Sequence, residues 1–166
     1  NPVGVKNSVV GVFTDNMCEP LAHVFKNLGA EHVMVVSSKD RLDEISLATS
    51  TKVAELKDGE VTVYDVFPED AGIDSQTLVG LDVNSSEQSL QLIQAALSGE
   101  DNNDFNINQN KVEKARDMIA LNAGAAIYVA GLASNFPNGV SKAQNIIRSG
   151  KALQKMKELA AYTQTF

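Results

Sequence analysis

With one cysteine, Cys18, in 166 residues, the chain has no internal disulfide and no zinc site built from cysteines, which fits a reducing cytoplasm. Basic residues are outnumbered. The 14 Lys and Arg face 21 Asp and Glu, a net charge of -7, and no basic stripe runs along the chain. Nucleic acid is therefore not the expected partner, and the acidic surface favours solubility. Long apolar runs are missing too. The longest, Met118 to Ala133, is roughly 16 residues and holds Asn122 and Tyr128, whereas a membrane span needs about 20; it reads as a core helix. Asn1-Pro2-Val3-Gly4 has neither the basic nor the apolar region of a signal peptide. Nor is there an initiating methionine, so the chain is expected to start inside a longer one.

Several signatures of chemistry are absent. No glycine-rich turn opens a helix as a Walker loop or a Rossmann fingerprint would. No nucleophile elbow, HExxH helix or paired CxxC occurs.

What is present has α/β character, and its 43% hydrophobic content is enough for one domain with a substantial core. Ser8 to Phe13 is β-branched and apolar, a strand, and Thr14-Asp15-Asn16 offers caps to a following helix, with Asn16 and Glu19 at capping-box spacing. Leu21, Val24, Phe25 and Leu28 form its apolar stripe, and Gly29 ends it. His32 to Val36 is a second strand with no polar face, as in a parallel strand covered on both sides. Lys52 to Lys57 and Glu60 to Phe67 flank Asp58-Gly59, a type I′ hairpin signal. Pro68 to Gly80 reads as a loop. Ser85 and Gln88 form a capping box for a helix ending at Ser98-Gly99, and Glu100 to Asn110 is a polar connection. A small-residue helix runs from Val112, expected to be the most buried one and to admit a second backbone closely. Asn135 to Gly139 breaks the chain, and helices follow at Val140 to Arg148 and Lys151 to Tyr162.

The stretch that organises the function is 31–46, EHVMVVSSKDRLDEIS: an apolar strand emptying into a loop with the adjacent carboxylates Asp43 and Glu44. Ligands of open α/β sheets sit beyond the C-terminal ends of the strands. Two neighbouring carboxylates are hard oxygen ligands suited to Mg²⁺, which takes one or two of them with waters and phosphate oxygens. By itself an Asp-Glu pair is most often solvated surface charge. Asp40 is either a phosphoacceptor or, the favoured reading, a turn residue. His23 and His32 have no evident partner cluster and are read as structural. Cys18 is read as a small buried hydrophobe, although its place near a helix start could acidify a thiol. Asn122, an amide in an apolar helix, is read as satisfying a neighbouring loop or helix end.

Taken together, Asn1-Pro2 with Gly4-Val5, the VGVF strand, Pro20-Leu21-Ala22, Leu28-Gly29-Ala30, LDEIS, TKVAELKDGEV, PED and LNAGAAIYVAG resemble the anthranilate phosphoribosyltransferase family, in order and over essentially the whole chain. The resemblance implies residues 1–166 are the C-terminal part of that family's α/β domain: a largely parallel sheet flanked by helices, of the nucleoside phosphorylase/phosphoribosyltransferase kind, incomplete. It implies transfer of the phosphoribosyl group from phosphoribosyl pyrophosphate to anthranilate in tryptophan biosynthesis, with Mg²⁺ held by Asp43 and Glu44. The family's glycine-rich phosphate loop, its anthranilate-contacting Arg and the helical domain that makes its homodimer would precede Asn1. The chain alone is accordingly expected to be inactive, and its unpaired sheet edge to self-associate non-natively at high concentration. Ser37, Ser38 and Arg41 depart from the family, whose members often carry His or Ser, Gly and Gly there; Arg41 is expected to stiffen the loop or to pair with Asp43. Two alternatives stand beside this reading: a pyrimidine nucleoside phosphorylase, and a non-catalytic interaction module whose acidic loop is only surface.

Overall fold

The computed structural model describes residues 4–99 and 105–165. Among the described residues, four strands form one sheet in the order β1-β2-β3-β4. β1 (Asn7–Gly11) and β2 (His32–Ser38) are parallel, with Asn7 opposite His32 and Gly11 opposite Val36, and α1 (Cys18–Asn27) connects them. β3 (Thr51–Lys57) runs antiparallel to β2, and β4 (Glu60–Val66) antiparallel to β3. The helix-flanked α/β architecture stands, but its parallel pairing is confined to β1 and β2. Local geometry is the reason. Asp58 and Gly59 both take positive φ, 50° and 79°, the two-residue turn that returns a strand antiparallel, and the β2–β3 connection carries no crossover helix.

Alternation along β2 builds two cores. Val33 and Val35 face α1, packing with Cys18, Ala22, Ala54 and Leu56. Met34 and Val36 face the other way, toward α3 (Gln109–Val129) and α4 (Phe136–Arg148), among Leu121, Ala125, Tyr128 and Val140. β2 is thus buried on both faces, which is why its run Val33 to Val36 has no polar side; Ser37 and Ser38, which extend the strand past the expected Val36, are buried too. α2 (Ser86–Leu97) packs Leu92, Ala95 and Ala96 on Val112 and Ala115 of α3 in a smaller cluster, and α5 (Lys151–Thr163) follows α4.

α3 carries the most buried positions of the described helices, and its small residues do admit a second backbone. A Cβ on Gly124 would lie 2.6 Å from the Cα of Val140, and one on Gly139 would lie 2.2 Å from the carbonyl oxygen of Gly124. These two glycines set the distance between α3 and α4.

Some boundaries differ from the sequence expectations. Asn16 and Glu19 form no capping box: a 3-10 turn at Asp15–Met17 precedes α1, which starts without a side-chain cap. Asn16 instead accepts from the Thr14 hydroxyl at 2.9 Å, a local bond that competes with capping. Asn135 to Gly139 starts a helix where a break was expected, because Asn135 caps the Asn138 amide at 2.9 Å and Pro137 falls in the first turn, where no donor is needed. Pro68–Ala71 makes a 3-10 turn inside the expected loop. Ser85 caps the Gln88 amide as expected, while Gln88 reaches back to the amide of Asn84. Of the expected polar connection, residues 100–104 lie outside the described residues, as does Asn1-Pro2; Asn108 already caps α3.

Candidate functional site

β2 delivers the chain to the C-terminal end of the parallel pair, where it turns sharply. The Ser38 amide donates to Leu42 O at 3.1 Å, and the Leu42 amide returns to Ser38 Oγ at 3.0 Å. Between them Arg41 takes φ 67°, a left-handed conformation that a side chain adopts at a cost. Asp40 closes the turn by accepting from the hydroxyls of Ser38 and, at 2.7 Å, Ser46. This is the turn role favoured for Asp40. The Ser46 amide in turn donates to Thr51 Oγ1 at 3.0 Å, tying the far end of the loop to β3.

Asp43 and Glu44 stand on this loop, both exposed, at the rim expected for a ligand. Among the described residues neither makes an ion pair, so the expected contact of Arg41 with Asp43 is not formed. Arg41 lines a cleft instead. No third His, Cys, Asp or Glu among the described residues completes a protein-only cage with them. Such a donor set fits Mg²⁺, which leaves the rest of its shell to water and substrate oxygens, better than it fits Zn²⁺ or Ca²⁺.

Two elements hold the loop from either side. Gly11, the last residue of β1, lies so close that a Cβ there would be 1.6 Å from Asp43 O. On the other side Asn122 of α3 accepts from the Ile45 amide at 2.9 Å and donates to the Ile45 carbonyl at 3.0 Å. The same Nδ2 also reaches Met118 O at 3.0 Å. The amide thus satisfies a neighbouring loop, and the loop is the acidic one. A glycine inside an otherwise β-branched strand, as in VGVF, was the signal for the Gly11 contact.

His32 does have partners, contrary to expectation. Its Nε2 meets Glu55 Oε1 at 2.7 Å, and its ring packs edge-on against Tyr128 at 4.8 Å. Tyr64 donates to Glu55 Oε2 at 2.7 Å, and Lys57 to Tyr128 Oη at 3.1 Å. Burial works to raise the Glu55 pKa, but hydrogen bonding from Tyr64, His32 and Tyr128 outweighs it and holds the carboxyl below its usual 4.5. Burial, then Glu55, pushes the Tyr64 phenol far up. No sequence spacing shows this cluster, because it is assembled across three strands and α3. His32 opens β2, so the cluster lies toward the end of the sheet away from the acidic loop. His23 is exposed, 4.0 Å from Glu19. Cys18 is fully buried, and desolvation, then Asp15, raises its thiol pKa, leaving it the inert hydrophobe expected.

An open cleft of about 530 Å³ lies at the same end of the sheet as the acidic loop, lined in part by Thr14, Ser38, Lys39, Arg41 and Lys52. Neither Asp43 nor Glu44 lines it. The described helices include none long and apolar enough to cross a membrane.

A family model described as "Glycosyl transferase family, a/b domain" matches residues 1–153. The anthranilate phosphoribosyltransferase of Psychrobacter sp. (strain PRwf-1) is 89% identical over all of this chain, which covers 45% of that protein. That of Marinobacter nauticus is 58% identical over all of this chain, covering 46%. The chain therefore spans less than half the length of the curated relatives it matches. Among solved structures, the anthranilate phosphoribosyltransferase from Thermus thermophilus superposes with a TM-score of 0.76 at 28% identity, over 93% of this chain and 42% of that one. The Saccharomyces cerevisiae enzyme in complex with PRPP and Mg gives 0.77 at 21%, over 96% and 43%, a likeness of fold.

Proposed function

Because the chain belongs to the glycosyl transferase family through its a/b domain, we propose that it forms the C-terminal part of the α/β domain of an anthranilate phosphoribosyltransferase, with Asp43 and Glu44 as Mg²⁺ ligands. Identity of 89% over its whole length to an anthranilate phosphoribosyltransferase is the observation that carries the activity. The exposed carboxylates on a pinned loop at the sheet's ligand-facing rim support the metal role. None of the observations favours the nucleoside phosphorylase or interaction-module alternatives.

In this reading the anthranilate amine attacks ribose C1 of phosphoribosyl pyrophosphate, and diphosphate leaves. Asp43 and Glu44 would hold Mg²⁺, which when bound would supply charge neutralisation to the diphosphate. The chain's own contribution is orientation. Asp43 and Glu44 are presented to solvent, with Gly11 and Asn122 behind them, so the backbone that carries the acids need not be ordered when the substrate arrives. The bond-breaking partner groups are those of the whole protein.

The test is anthranilate fluorescence followed in the whole protein with phosphoribosyl pyrophosphate and Mg²⁺. Fluorescence should fall only when all three are present. Asp43→Asn and Glu44→Gln should each raise the Mg²⁺ requirement and cut turnover by at least about tenfold. Phosphate-dependent release of base from thymidine, with no loss of anthranilate, would overturn the assignment.

A further inference from the structure

We propose that Asn122 is a positioning residue for metal binding: its side-chain amide clasps both backbone polar groups of Ile45 and so sets the orientation of Asp43 and Glu44. The inference rests on the Mg²⁺ reading above. Ile45 directly follows Glu44 and is only 1% exposed. Its N–H and C=O both meet Asn122, at 2.9 and 3.0 Å. One side chain thereby replaces the ladder that a neighbouring strand would supply, at a point where the chain has left the sheet.

Asn122 is itself well anchored. Nδ2 bonds to Met118 O one helical turn back, which fixes the amide's orientation, and two residues further on Gly124 is locked against α4. The loop is therefore referenced to the most buried helix as well as to the turn at Arg41, where Asp40 holds Ser46. If the clasp is removed, the Ile45 amide and carbonyl are left unpaired in an apolar setting, a penalty that the loop can escape by shifting toward water. The acids shift with it. Partners bonded directly to a metal ligand typically change metal affinity about 10- to 100-fold; Asn122 acts through the next residue, so about tenfold, the lower end, is expected.

The experiment measures Mn²⁺ binding by electron paramagnetic resonance in the whole protein, as wild type, Asn122→Ala, Asn122→Leu, Asp43→Asn and Ala115→Gly. Ala115→Gly weakens α3 where it packs on α2, in a cluster that does not include Ile45. Both Asn122 variants should bind Mn²⁺ about tenfold more weakly than wild type, while Ala115→Gly lowers the melting temperature and leaves the affinity alone. In the wild type without metal, the Ile45 amide should exchange with solvent far more slowly than that of Asp43. Unchanged Mn²⁺ affinity in the Asn122 variants, with Asp43→Asn impaired, overturns this inference and spares the metal assignment. Unchanged affinity in Asp43→Asn overturns the metal assignment itself. If neither Asn122 variant folds, fast exchange at Ile45 in the wild type still defeats the proposal.

Discussion

A single buried carboxylate illustrates how far residue type alone can mislead. Glu55 reads in sequence as one polar position of a hairpin strand, yet it is 8% exposed and bonded to His32 and Tyr64. Its folded pKa lies below the unfolded value, so the unfolded chain takes up the proton first on acidification. The stabilisation is complete above the usual 4.5 and is lost as pH falls through the depressed folded value. Tyr64→Phe removes one of the bonds that depress it. The variant should be less stable by about 1.5–3 kcal/mol near neutrality, and its acid unfolding should begin at higher pH. Urea denaturation at a series of pH values from about neutrality down to the carboxylate range checks both. An acid midpoint identical to wild type would show that the hydrogen bond does not hold the carboxyl down. Arg41 is a different residue-scale case, since its φ of 67° is a backbone conformation that glycine adopts without the cost a side chain brings.

At the scale of elements, the contact between α3 and α4 depends on the absence of two side chains. Gly139 faces the Gly124 carbonyl so closely that even a methyl group must push the helices apart. Gly139→Ala should cost about 1–3 kcal/mol despite the better helix propensity of alanine, measured as a lower urea midpoint at unchanged slope. A neutral or stabilising effect would mean that α4 can slide without penalty. The strands were legible because their signals are local: β-branched runs, and Asp58-Gly59 between two of them. The starts of α1 and α4 were less so. There Thr14, Asn16 and Asn135 each had more than one backbone or side-chain partner in reach, and only the folded geometry selects among them.

The sheet as a whole leaves β1 and β4 with one neighbour each among the described residues. Their middles are less buried than those of β2 and β3. Exposed apolar side chains such as Phe13, Val24 and Leu28 lie along the β1–α1 side. The 166-residue chain by itself should therefore self-associate as its concentration rises. Light scattering over a wide concentration range should show mass increasing; a constant monomer mass would mean that these edges are protected by their own twist and charge.

From the sequence by itself came the α/β class, the hairpin, the apolar run Val33 to Val36 and the acidic pair in the loop that follows it. All of these follow from periodicity and nearest-neighbour chemistry, which are written along the chain. Only the tertiary structure decided what holds that pair in place: Gly11 from β1 on one side and Asn122 from α3, 77 residues away from Ile45, on the other. It also gathered His32, Glu55, Tyr64 and Tyr128 into one cluster. Contacts between residues far apart in sequence depend on how elements pack, and no local pattern encodes that.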